Sequence, residues 1–156
     1  MDFVVGLPPT QKSYDSIWVV VDLLTKSARF IPIKSAYSSE DYARIFLDEI
    51  VCFHGIPLSI IPYRGIQFTY RFWRSFQKGL GTKVKLITTF QPQVDNLVVC
   101  TIQTLEDMFR ACIIDFKGNR NKYLPLVEFA YNNSYRSSTS MAPYEGLYGK
   151  RYRSLI

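Results

Sequence analysis

The sequence predicts an α/β fold: a mixed sheet of five strands, a three-strand meander plus two βα units, flanked by helices. Three observations predict it. Three β-branched, apolar runs follow one another within the first 34 residues. Two further short apolar runs then alternate with stretches of helical period. The last third keeps the helical period and adds no strand.

The first strands fall in Met1 to Leu7 and Ser16 to Leu24, joined by a turn-rich segment from Pro8 to Asp15. Ala28 to Lys34 is the third, and the three form an antiparallel meander. Ser38, with Asp41 three residues on, has the form of a capping box with Asp in place of Glu. Tyr42, Ile45, Phe46, Ile50 and Phe53 then recur at helical spacing, and Gly55-Ile56-Pro57 ends that helix.

Leu58 to Ile61 is the fourth strand. Thr69 caps a helix that buries Phe72, Trp73, Phe76 and Leu80, and Val84 to Thr88 is the fifth strand. Right-handed crossovers place the fourth strand beside the first. Thr89 to Asn96 is polar and contains proline, so it reads as a loop. Ile102, Leu105, Phe109, Cys112 and Phe116 make one apolar stripe on a long helix that Gly118 stops. A final helix spans about Lys122 to Tyr131, and the tail from Ser140 shows no clear element. The phenylalanines at 46, 53, 72, 76, 109 and 116 are expected to pack in the core.

Composition narrows the class of function. The 156 residues suit one domain, able to bury roughly 68–70% of its unfolded surface. No run reaches the ~18 apolar residues of a membrane span, Ile17 to Leu24 being interrupted by Asp22. Asp2 occupies the place of a signal peptide's basic start, so an intracellular protein is expected. Cys52, Cys100 and Cys112 form no CxxC pair, and His54 is the one histidine. This excludes a disulfide framework and a Cys/His zinc site, and predicts three core thiols and a surface or helix-end imidazole.

The net charge of +6 is unevenly placed. The 44 residues from Val51 to Val94 contain no Asp or Glu but carry Arg64, Arg71, Arg74, Lys78, Lys83 and Lys85. Lys150, Arg151 and Arg153 form a second cluster. Such stretches fit a polyanion-binding face with salt-sensitive affinity, or a solvated basic face.

Seven segments give a more specific reading: MDFVVGLP, VVVDLLTKSARFIPI, IPYRGIQFTYRFW, TTFQPQVDN, TIQTLEDMFRA, LPLVEFAYNNSYRSST and MAPYEGLYGKR. In this order and spacing they resemble the integrase catalytic core of gypsy-type LTR retrotransposons, especially those of plants. The resemblance covers essentially the whole chain. It implies a ribonuclease H-like fold, in agreement with the element order above. It also implies DNA strand transfer by two Asp and one Glu holding two Mg²⁺ or Mn²⁺ ions, hard cations that select oxygen ligands.

Carried onto this sequence, the first Asp falls on Asp2. The second lies in a pattern resembling S-D-R-G-S-Q-F, where this chain reads Pro62-Tyr63-Arg64-Gly65-Ile66-Gln67-Phe68. Tyr63 therefore stands at the Asp position. The Glu lies in a pattern resembling H-P-Q-T-D-G-Q-S-E-R-T, where this chain runs from Gln91 to Thr101 and has Val99 at the Glu position. The 35 residues between positions 63 and 99 match the family's spacing.

Valine offers no ligand atom, and a phenol titrating near ~10 is a poor ligand for a hard cation at neutral pH. Asp2 alone cannot neutralise two dications, so any metal is expected to be held weakly at best. Asn96, Gln91 and Cys100 replace a glycine, a histidine and an arginine of the family pattern, as drift after loss of catalysis would leave. Asp95 is the one plausible substitute acid. Glu106 lies seven residues past Val99, ~10 Å along a helix, out of reach of the same ion. Asp22, with Thr25 and Lys26, matches the family's D-x-x-T-K pattern and is expected to be structural or to support the metal-binding residues from behind.

The expected protein is thus an integrase-core-like domain, nucleic-acid-binding but inactive in strand transfer. Arg64, Gln67 and Gln93 are the expected DNA contacts, with Lys78, Lys83 and Lys85 adding diffuse attraction. Two alternatives stand beside it: an active transferase or nuclease using Asp95, and a protein-interaction module. The resemblance further implies homodimers and a nuclear destination. It marks residues 1–156 as a single core-like domain, cut at its N-terminal edge and lacking the family's zinc module and chromodomain. On that reading Asp2 lies at a fraying end.

Overall fold

The computed structural model describes residues 1–60, 76–78, 85–86, 103–104, 107–108 and 120–153. Strands β1 (Asp2–Val4), β2 (Ser16–Val21) and β3 (Ala28–Ile33) form the antiparallel meander, in the order β1-β2-β3. Asp2 pairs with Val19, and Ser16 with Ile33. Helix α1 (Ser39–Phe46) runs into a π-helical turn at Leu47–Val51 and then α2 (Cys52–His54). Strands β4 (Ser59–Ile60) and β5 (Lys85–Leu86) pair in parallel, and helices α3 (Arg120–Asn133) and α4 (Pro143–Tyr148) complete the described elements.

The strands fall where β-branched runs put them, and their period of two sorts side chains onto two faces. One face is aromatic. Trp18, fully buried, lies against Phe3, Tyr42, Phe46 and Phe76 with ring centroids 5.5 to 6.4 Å away. Met1, Ile31, Ile33, Ile50 and Ile60 fill the rest of that core. The other face carries Ile17, Val19, Ala28 and Phe30 against Leu124, Val127 and Tyr131 of α3.

Local chemistry sets the ends of these elements. Ser38 and Asp41 make the full reciprocal capping box, the Asp41 N–H donating to Ser38 Oγ at 3.2 Å and the Ser38 N–H to Asp41 Oδ2 at 3.0 Å. Asp15 ties the start of β2 to the segment after β3, accepting from the Ser35 N–H and hydroxyl at 2.7 and 2.5 Å. Those bonds hold its carboxyl below the ordinary 3.8.

Some expectations are met only in part, and others are corrected. The described strands form a three-strand sheet and a separate parallel pair, and no β1–β4 pairing joins them among the described residues. Ile60 nevertheless packs in the same aromatic core as Met1 and Phe76. Phe53 is 71% exposed rather than in the core. The π-helical turn before it spends one residue more than an α turn, which carries Phe53 off the stripe of Phe46 and Ile50. Cys52, in the same short helix, is exposed rather than a core thiol. His54 is exposed at the helix end, as expected.

The tail, read as structureless, holds α4, with Pro143 at the start and Gly149 in the left-handed region (φ 70°) closing it. Asp2 is not at a frayed end either, because Met1 is buried in the aromatic core and β1 is paired along its length. Phe46 and Phe76 are buried as expected. Phe72, Phe109, Phe116, Cys100 and Cys112 lie outside the described residues.

Candidate functional site

Asp2 stands on β1 opposite Val19. Alternation along β1 puts it on the side of Val4, which packs with the α3 cluster, while Phe3 turns to the aromatic core. Its Oδ1 accepts the Phe3 N–H at 2.8 Å. Met108 packs against this same face, so the helical segment at 107–108 crosses the side to which Asp2 points.

Asp22 follows β2 at the same end of the sheet, three residues beyond Val19 and thus about 10 Å along the chain. Its carboxylate is already engaged. Oδ2 accepts from the Thr25 N–H at 2.9 Å and the Thr25 hydroxyl at 2.6 Å, closing the β2–β3 turn in which Lys26 adopts φ 60°. Partial burial works to raise this carboxyl, but the Thr25 bonds, the Leu24 N–H and the nearby His54 bring it below its ordinary value. Through these bonds the D-x-x-T-K pattern locks the hairpin turn.

Of the other expected site residues, Lys78 is exposed in the helical segment 76–78. Lys85 lies in β5, where its backbone pairs with Ser59. Tyr63, Val99, Arg64, Gln67, Gln93, Lys83 and the substitute acid Asp95 lie outside the described residues, as does Glu106. Among the described residues no group of three His, Cys, Asp or Glu side chains is arranged to hold a metal.

The structure adds two residues that sequence reasoning missed. Glu128 and Asn132, one turn apart on α3, are both buried. Asn132 Oδ1 accepts the Ala28 N–H at 2.8 Å and its Nδ2 donates to the Ala28 carbonyl at 2.8 Å. Glu128 Oε2 accepts the Phe30 N–H at 2.8 Å, and Oε1 accepts from Arg29 at 2.6 Å. Arg29 spans to Glu49 at 2.7 Å, linking α3 to the π-helical turn. Ala28, Phe30 and Pro32 alternate along the outer edge of β3. The first two N–H groups are taken by α3 and proline has none, so this edge is closed to a further strand. Two polar residues on the apolar stripe of Leu124, Val127 and Tyr131 were the available signal.

Solved integrase cores share this architecture. The catalytic core domain of BIV integrase superposes with a TM-score of 0.64 at 19% identity, covering 95% of this chain and 93% of that one. The fold is that of an integrase catalytic core. The HTLV-2 integrase core, described in complex with magnesium, gives 0.60 for its dimeric form and 0.62 for its trimeric form, at 16% and 17% identity. These cover 92% of this chain and 91% and 92% of those chains. This integrase core fold is α/β and ribonuclease H-like.

In sequence, the chain is 30% identical over 145 residues to the transposon Tf2-3 and Tf2-4 polyproteins of Schizosaccharomyces pombe. That stretch is 93% of this chain and 11% of each polyprotein, so the chain spans about a tenth of the length of these relatives. No protein-family model matches it.

Proposed function

We propose that this chain is the core-like domain of a gypsy-type, plant-like retrotransposon integrase that binds DNA and has lost strand transfer. The observation that carries the reading is the identity of positions 63 and 99. An integrase-core fold that keeps Asp2 on its first strand has Tyr and Val where the motif pattern calls for Asp and Glu.

The donor set does not fit a pair of divalent ions. Asp2 supplies one carboxylate, with one oxygen already accepting a backbone N–H, while valine contributes nothing and a neutral phenol little. No chemical step through a metal is therefore assigned. The functions left are binding and positioning. Lys78 on the surface, with Lys83, Lys85, Arg64, Gln67 and Gln93 from the acid-free stretch, supplies phosphate attraction and contacts. Self-association and a nuclear destination, where DNA is met, complete the proposal. The HTLV-2 relative's dimeric and trimeric forms support the first.

The test combines duplex DNA binding across a salt series with a nicking assay in Mg²⁺ or Mn²⁺. The expected outcome is affinity falling steeply with salt, reduced by Lys78→Ala, and no nicking. Metal-dependent nicking that disappears in Asp2→Asn or Asp95→Asn would overturn the reading and favour an active enzyme with a relocated acid. Self-association without any salt-sensitive DNA binding would instead favour an interaction module.

A further inference from the structure

The residues from Pro143 to Arg153 hold three tyrosines, three cations and one acid. Tyr144 and Tyr148 lie one turn apart on α4, their centroids 5.6 Å apart. Gly149 ends the helix in the left-handed region, its N–H donating to the Glu145 carbonyl at 2.9 Å. The chain then doubles back, bringing Tyr152 to 5.6 Å from Tyr144 and 6.0 Å from Tyr148. Tyr144 is rooted against Phe129 of α3 at 5.9 Å.

The contacts of Tyr144 with Phe129 and Tyr152 anchor the tail apart from the outer ring, Tyr148. Tyr148 is 55% exposed, and its plane stands at 90° to that of Tyr152. The rings meet edge to face rather than stacked, and the exposure of Tyr148 leaves part of its ring open to a flat ligand. Lys150 Nζ sits 5.5 Å over the Tyr152 ring. Arg151 reaches Glu145 at 3.5 Å with its side chain 64% exposed, and Arg153 is exposed. Open phenol rings ringed by cations are the two components of a surface for unpaired nucleotides, where bases stack and phosphates meet positive charge. A duplex hides its base faces and an acidic peptide has none, so neither uses the rings.

We propose that α4 and the turn after it bind single-stranded nucleic acid, with Tyr148 stacking on a base and Lys150, Arg151 and Arg153 contacting the backbone. This surface shares no residue with the motif-derived DNA contacts, so the two readings fail separately.

The experiment is fluorescence anisotropy of the whole chain with a labelled oligothymidylate and, in parallel, a labelled duplex. Tyr148→Ala is expected to weaken single-strand binding about tenfold while leaving duplex binding unchanged. Tyr148→Phe keeps the ring and should bind as the unaltered chain does. Lys150→Ala with Arg153→Ala should weaken single-strand binding and flatten its salt dependence by about 0.7 per cation in the log–log slope. The proposal is overturned if the unaltered chain does not bind the oligonucleotide, or if Tyr148→Ala binds it equally well. It is also overturned if polyglutamate displaces the oligonucleotide from Tyr148→Ala and the unaltered chain alike. Loss of duplex binding in Lys78→Ala with no effect of Tyr148→Ala would sink this surface and leave the integrase-core reading standing.

Discussion

The two faces of the three-strand sheet are held by different physics. On the α1 face, Trp18 is enclosed by aromatic rings, and shape and apolar area do the work. On the α3 face, apolar packing is supplemented by four hydrogen bonds from two buried polar side chains to the β3 edge and Arg29. Apolar contacts tolerate sliding, whereas a carboxylate and a carboxamide one helical turn apart meet alternate edge residues in one register only. The face toward which Asp2 points is thus the face whose helix is positioned by directional bonds.

Substitutions on the two faces should separate these contributions. Trp18→Ala removes the centre of the aromatic core and should cost about 3–5 kcal/mol, seen as a large fall in the denaturation midpoint. Glu128→Ala leaves the buried Phe30 N–H without its acceptor and Arg29 with Glu49 alone, and should cost about 3 kcal/mol, with Asn132→Ala near 2 kcal/mol. A double-mutant cycle on Arg29 and Glu128 should show coupling, while one on Trp18 and Asn132, on opposite faces, should be close to additive.

Much of this organisation was legible in the sequence. The three strands, the capping box at Ser38 and the core helix α3 follow from period and local hydrogen-bonding chemistry that act over a few residues. What was missed depends on longer-range or subtler geometry. Phe53 left the core because a π-helical turn shifts the register, which a regular 3.6-residue stripe cannot foresee. Helix α4 is six residues long, too short for a periodic signal, although Pro143 and Gly149 mark its two ends. Glu128 and Asn132 read as ordinary motif residues because their partners are backbone groups about 100 positions away in sequence. Of the site, Asp2 and Asp22 could be placed from the strand pattern, and the Thr25 bonds of Asp22 follow the D-x-x-T-K spacing.

Smaller effects sharpen the contrast between core and periphery. Ser38→Ala should cost about 1 kcal/mol at neutral pH by breaking the capping box. Bonds from the Ser38 N–H and hydroxyl hold the Asp41 carboxyl below its ordinary 3.8. A depressed folded-state value means the contribution is present above pH 3.8 and lost as pH falls through the folded value. The difference between Ser38→Ala and the unaltered chain should therefore shrink in an acid titration below that pH. At the surface, Glu145→Gln removes a long, exposed pair with Arg151 and should change stability by less than about 0.5 kcal/mol.

The proposed function has this integrase-core fold persist without two of the acids that its motif pattern calls for. Calorimetric titration of Mn²⁺ into this chain and into a Tyr63→Asp/Val99→Glu repair tests it most directly. The account predicts tight binding by the repaired protein alone, showing that the fold still holds the three positions together. Equal binding by the unrepaired chain would contradict it and place a working ligand elsewhere, Asp95 first.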